Sequence, residues 1–218
     1  MKKILFLLLI STLSVKSQNL ISIGFTNGLS YSSLVSTSND KYFASLPTYV
    51  LGATFEYEAF NRVSFVGNVL YETKGCKGTD MKVVSASGVK QGLYSFEYRA
   101  DYLMIPLLVK YSIGEYKGFF IEGGPYMGCL INYAEKFKTI GQVDRTQDMK
   151  KLDMGMTLGM GFVIPIQETF LILEIRENLG FTNIVNGVTY TGNRPAFIID
   201  NAKTRSLNLL VGFKYTLN

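Results

Sequence analysis

The chemistry open to this chain is narrowed first by an absence: its 218 residues include no histidine. That removes the commonest general base and the commonest metal ligand together. The charged residues with regular spacing are Glu56, Glu58, Lys110, Glu122, Glu174, Arg176 and Lys214. Each falls on the polar side of a two-residue alternation. Carboxylates and cations gathered on one face either pass protons or ions along a path, or neutralise one another in a structural network. Catalysis could be imagined from serine, lysine and aspartate, and Glu72, Lys74 and Asp153 fall together near the outer mouth. No serine stands in a nucleophile-elbow setting, however, and no imidazole is present to activate one. The glycine spacings that resemble a nucleotide loop lie on alternating stretches, without the strand–turn–helix context such a loop needs. The residues therefore predict no catalytic, cofactor or metal site and no enzyme.

The elements that must position those charges are strands. From Leu152 to Ile164 the apolar residues Leu152, Met154, Met156, Leu158, Met160, Phe162 and Ile164 occupy every second position. Asp153, Gly155, Thr157, Gly159, Gly161 and Val163 make the other face, and a period of two marks an extended strand between two environments. Such a strand rises roughly 43 Å. Tilted by about 40°, it crosses the ~25 Å apolar belt of an outer-membrane barrel.

The pattern recurs in seven further segments. Their apolar faces are led by Ile21, Tyr49, Val63, Leu103, Phe119, Leu171 and Leu207. Short turns are read near Ala59–Arg62, Gly114–Lys117 and Pro165–Glu168, and long polar connections near 33–47, 75–95, 135–150 and 183–203. Short turns at one rim and long loops at the other predict an all-β, eight-stranded antiparallel up-and-down transmembrane β-barrel.

A soluble barrel with its apolar set inside is the alternative. Two bands of aromatics on the apolar face argue for the membrane. Tyr31, Tyr49, Tyr71 and Phe181 fall at the loop rim; Tyr57, Tyr111, Phe119, Phe162, Phe213 and Tyr215 fall at the turn rim. An eight-stranded barrel encloses little more than its own side chains, so the inward charges are read as a structural ion-pair network. Glu72, Lys74 and Asp153 are read as solvated charges at the outer mouth. Glu177 falls on the lipid face by parity, near the outer rim or a subunit contact.

The first residues, MKKILFLLLISTLSVKSQ, have the basic, apolar and small-residue parts of a secretory signal. Cleavage before Gln18 makes residues 1–17 the leader and 18–218 one barrel domain. Lys2, Lys3 and Lys16 leave with the leader, so 19 of 22 basic residues remain against 17 acidic ones. That balance gives no reason to expect nucleic acid as a partner. Membrane lipids, and other outer-membrane or periplasmic proteins, are the expected partners. An oxidising envelope permits a disulfide. Cys76 in a loop and Cys129 on the outer face of a non-neighbouring strand disfavour one.

The stretches YLMIPLLVKYSIG (102–114), GFFIEGGPYMGCLIN (118–132) and DMGMTLGMGFVI (153–164) resemble the PorT-like outer-membrane barrel family of Bacteroidota. The strand end LGFTNI (179–184) and SLNLLVGFKY (206–215) carry the same resemblance. It covers essentially the whole mature chain. It implies a small barrel in the outer membrane of a Gram-negative bacterium, loops outward and termini in the periplasm. The role it implies is structural or interactive, as in an accessory subunit of a secretion or assembly machine. A narrow channel or carrier for small solutes is the alternative.

Overall fold

The computed structural model describes residues 20–36, 43–84, 90–114, 118–137, 141–144, 146–186 and 201–217. The leader and its cleavage site, the centre of the turn near Tyr116 and the 189–195 loop stretch lie outside these residues. Among the described residues, nine strands form in chain order. They are β1 (Leu20–Ser36), β2 (Phe43–Phe60), β3 (Val63–Val84), β4 (Lys90–Ile113), β5 (Phe119–Phe137), β6 (Gly141–Asp144), β7 (Leu152–Ile166), β8 (Thr169–Gly180) and β9 (Ala202–Leu217).

All pairings are antiparallel, each barrel strand lies beside its sequence neighbours, and β1 pairs with β9. The sheet closes on itself as an eight-stranded barrel. The short β6 folds back on the far end of β5, outside the ring. One hydrogen-bonded row defines the barrel's geometry. It runs Phe162, Leu173, Val211, Asn27, Leu51, Tyr71, Leu103, Cys129 and returns to β7 at Leu152, ten residues from where it began. A stagger of that size on eight strands tilts them by about 40° and leaves an interior that side chains fill.

The alternation resolves by direction. Ile23, Phe25, Leu29, Phe55, Leu107, Met160, Phe162 and Val211 point outward and are exposed, while Ser22, Thr26, Ser30, Glu56, Asn68, Lys110, Thr157 and Asn208 are buried inside. The soluble alternative required the reverse. A continuous exposed apolar wall of this extent belongs in lipid, where closure also supplies a partner for backbone groups that water cannot reach.

Two sequence expectations need correction. Within the stretch 75–95, residues 75–84 and 90–95 are not polar loop but the upper part of two long strands: β3 and β4 remain paired from Gly75↔Arg99 to Val84↔Lys90, with register shifts after Gly78 and Lys82. The sequence of these segments lacks the apolar alternation of the lipid-facing runs, and so it reads as a loop. Cys76 accordingly sits in β3 with its side chain buried, not in a loop. Both cysteines are free thiols. Pro165 also belongs to a strand, paired with Phe170, and the turn narrows to Gln167 and Glu168, with Gln167 in the left-handed region.

Close strand approach depends on glycine at particular points. A Cβ on Gly28 would collide with the carbonyl oxygen of Leu209 on β9, whereas one on Gly67 would meet only Leu107 Cδ2 at 3.7 Å. Gly28→Val is therefore expected to lower stability by about 1–3 kcal/mol, as overpacking does. Gly67→Ala is expected to stay within about 0.5 kcal/mol of the parent. Urea unfolding in vesicles, followed by the heat-dependent gel mobility of the folded barrel, reads both. Equal stability of the two variants would contradict the register.

Candidate functional site

The inward charges form layers stacked along the lumen. Nearest the short turns, Glu56 on β2 accepts a hydrogen bond from Lys110 on β4 and another from Lys214 on β9, each at 2.8 Å. The Lys110 ammonium also lies 4.6 Å from the Phe120 ring centre. Glu58, two residues nearer the turn, is half-buried. In the middle layer, Arg176 on β8 donates through Nη2 to Glu122 at 2.9 Å and to Glu174 at 3.1 Å, and through Nε to Glu174.

Apart from Arg176 and Glu174, which share β8, these partners are neither on one strand nor on adjacent strands. Lys110 and Glu122 face each other in register on β4 and β5, the pairing their parity suggests. Yet Lys110 turns to β2 and Glu122 to β8, each crossing behind one intervening strand. Side chains converge inside a narrow barrel, so a chord across the lumen is as short as a step along the wall.

The third layer corrects the reading of Glu72, Lys74 and Asp153 as solvated mouth charges. Lys74 is 1% exposed, and Glu72 and Asp153 are 0% exposed. Lys74 Nζ donates to Asp153 Oδ2 at 3.0 Å and to Thr204 Oγ1 at 3.3 Å, reaching from β3 to β7 and β9. Its ammonium lies 4.7 Å from the Tyr126 ring centre and 5.5 Å from that of Tyr102. Thr204 donates to the same Asp153 oxygen at 2.6 Å. Glu72 accepts from Ser30 at 2.9 Å, and Asn178 donates to Ser206 at 3.1 Å.

These charges are buried because an apolar plug lies over them. Leu34, Cys76, Tyr98, Tyr102, Met149 and Ile184 belong to one packed cluster, and the Tyr98 and Tyr133 rings stack at 6.1 Å. Met149 and Ile184 come from segments folded across the loop end. They are held by a Met149–Val185 bridge, by Lys150 N–H on the Ile184 carbonyl at 2.8 Å and by Ile184 N–H on the Ala202 carbonyl at 2.9 Å. Parity alone put Glu72, Lys74 and Asp153 inside. Met149 and Ile184, distant in sequence and in segments without periodicity, gave no sign that they would cover them.

The space left is small. Between the first two layers, bordered by Glu56, Lys110, Glu122, Glu174, Arg176 and Lys214, the lumen holds a cavity of about 20 Å³, the room of roughly one water molecule. Among the described residues, Asn68 Nδ2, Arg176 Nη1, Tyr102 Oη and both amide atoms of Asn208 are buried without a protein partner. Buried polar atoms of this kind are met by trapped water.

The aromatic positions all lie on the outer wall. Tyr49 stacks on Tyr71 at 5.8 Å towards the loops, near outward-facing Tyr31 and Phe181. Phe119 meets Phe162 at 5.2 Å towards the turns, the end shared by Tyr57, Tyr111, Phe213 and Tyr215. Glu177 faces outward and accepts from Arg205 Nε at 2.8 Å.

Breaking the upper layer leaves a buried charge unmatched. Lys74→Met is expected to cost about 3–5 kcal/mol. Adding Asp153→Leu should recover part of that loss, because the Asp153 carboxylate is then no longer left unpaired, whereas Glu72, buried on the same layer, stays. Urea midpoints of the two variants decide it, and a Lys74→Met barrel as stable as the parent would mean that this layer contributes nothing.

Similar solved structures include Neisserial surface protein A, 12% identical, covering 90% of this chain and 97% of that one with a TM-score of 0.46. Ail, the attachment invasion locus protein of Yersinia pestis, is 14% identical over 89% of this chain and 99% of its own, at 0.43. The outer membrane protein OprG from Pseudomonas aeruginosa is 14% identical over 94% and 100%, at 0.40. No curated protein matches the chain in sequence. Residues 16–186 match the family described as the outer membrane protein β-barrel domain. That span holds every barrel strand but β9, and the chain belongs to this family of outer-membrane β-barrels.

Proposed function

We propose that this barrel is a sealed, non-enzymatic scaffold that acts through its outer surfaces, as an interaction protein or an accessory subunit of a secretion or outer-membrane assembly machine. The observation that carries this reading is the lumen. Three cross-strand ion-pair layers and an apolar plug occupy it, and a cavity of only about 20 Å³ remains between the lower two layers. A wall filled this way offers function only at its rims and its exterior. The extended β3–β4 hairpin and the β5–β6 hairpin are the surfaces available to a partner on the loop side. In this reading the loops are extracellular and the termini periplasmic, and the chain is a PorT-like member of the family, as found in Bacteroidota.

A narrow channel is the second reading. It is favoured by the unpartnered polar atoms of Asn68, Arg176 and Asn208, which would line a hydrated path through the middle layer.

Planar-bilayer recording separates the two. The sealed barrel is expected to show no steady conductance, and Lys110→Ala should not create one, because the middle and upper layers remain closed. Steady current that changes with Lys110→Ala would overturn the scaffold reading in favour of the channel. Purification in mild detergent, followed by native sizing, is expected to give a complex much larger than one barrel, and a lone barrel-sized particle would argue against a machine subunit. Labelling of the β3–β4 hairpin on intact cells tests the orientation.

A further inference from the structure

The outer wall of β8, β9 and β1 carries a charged group that the lumen does not explain. Arg205 points outward from β9, with its side chain 58% exposed. Both its Nε and its Nη2 donate to a single oxygen, Oε1 of Glu177. A guanidinium has five N–H donors, so three remain beyond those held by Glu177, on a side chain that is mostly exposed. Lys203 lies two residues further towards the loops on the same outward face, opposite Val35.

The register sets the depth of this group. Glu177, Leu207 and Tyr31 lie in one row at the aromatic band. The next row towards the turns is Met160, Ile175, Leu209 and Leu29. That row opens an apolar groove of about 460 Å³ on the lipid side, which continues past Leu173 and Val211 to Phe162 and Phe119. Arg205, paired with Glu177, and Lys203 therefore stand four and six residues further towards the loops than Leu209, above a slot that runs down the wall below the aromatic band. At the other end of β9, the outward residues Phe213, Tyr215 and Leu217 are uncharged.

We propose that this face is a binding site for one phosphorylated lipid of the leaflet on the loop side. Its anionic head group sits on Arg205 and Lys203, and one acyl chain lies in the groove lined by Leu29, Met160, Ile175 and Leu209. Charge complementarity selects this occupant. Outward cations near the membrane boundary carry little penalty at interface depth, and they attract lipid phosphate and repel a cationic partner. Glu177 holds the guanidinium at the mouth of the groove, leaving its free donors in a fork suited to phosphate. The site extends the scaffold reading and relies on it for which leaflet the loops face.

The test uses the purified full chain and native mass spectrometry from mixed micelles that contain either lipid A or phosphatidylethanolamine. The parent is expected to retain one lipid A and to prefer it to phosphatidylethanolamine. Lys203→Ala with Arg205→Ala should cut retention about tenfold, a difference of about 1.4 kcal/mol. Leu209→Trp, which keeps every charge but fills the slot, should do the same, so a loss does not rest on one variant's folding. Lys77→Ala with Arg99→Ala, on β3 and β4, should retain lipid as the parent does. Heat-dependent gel mobility checks that each variant is folded. Equal retention of both lipids by the parent, or unchanged retention in the folded β9 variants, would overturn the proposal. Displacement of the lipid by inorganic phosphate would also overturn it, since the site would then read phosphate alone. Retention reads binding whichever way the barrel is inserted, whereas cell-surface labelling reads orientation, so the two readings fail separately.

Discussion

Closure of the backbone hydrogen-bond ring is the constraint from which the rest follows. In hydrocarbon, an unpaired strand edge costs several kcal/mol per group, so the β1–β9 seam must form. Its register, Ile21↔Leu217 through Ser36↔Ala202, fixes the ten-residue stagger of the whole ring. The stagger with eight strands sets a diameter at which opposite walls are within side-chain reach. Lys74 can then touch both Asp153 and Thr204, and Glu56 can collect Lys110 and Lys214 from two directions. A wider ring would leave these charges to water. In this one, burial makes their mutual pairing obligatory.

That argument also explains why the lumen is layered. Lys110 and Lys214 converge on Glu56, with Glu58 nearby, while Glu122 and Glu174 converge on Arg176. Each layer gathers its opposite charges at one level of the lumen, where low dielectric strengthens their attraction. The upper layer follows another rule. Lys74 is held between aromatic faces and a carboxylate, and the apolar plug above it excludes the water that would otherwise compete.

What the sequence made legible, and what it did not, divides at the membrane boundary. Within lipid the two faces of a strand meet sharply different media. The run Leu152–Ile164 therefore states its own direction, and parity alone put Glu56, Lys110, Glu122, Glu174, Arg176 and Lys214 on the inner wall. Beyond lipid both faces meet water or protein. There the sense of the alternation reverses: on β4 Glu97 and Arg99 face outward while Tyr98 and Ala100 turn into the plug, so a reading keyed to an apolar outer face loses the strand. Parity also gives a side, not a partner: Lys110 and Glu122 face each other along the wall, yet each is satisfied across the lumen. The burial of Lys74 and Asp153 was hidden for a related reason. It depends on Met149 and Ile184, which enter the lumen from segments with no periodicity of their own.

Outward charges obey the opposite economy from inward ones. An inward carboxylate is kept because a cation across the lumen answers it. On the lipid face no opposite wall exists, so Glu177 must be answered from its own surface, and Arg205 on the adjoining strand does so. Two carboxylates neutralise one guanidinium at Arg176, and its remaining Nη1 is buried where only trapped water can meet it. At Arg205 a single carboxylate oxygen takes two donors and more than half of the side chain stays exposed. The same pair of residue types thus fills the barrel inside and, in the proposed lipid site, would meet a head group outside, and the difference is made by which medium each donor faces.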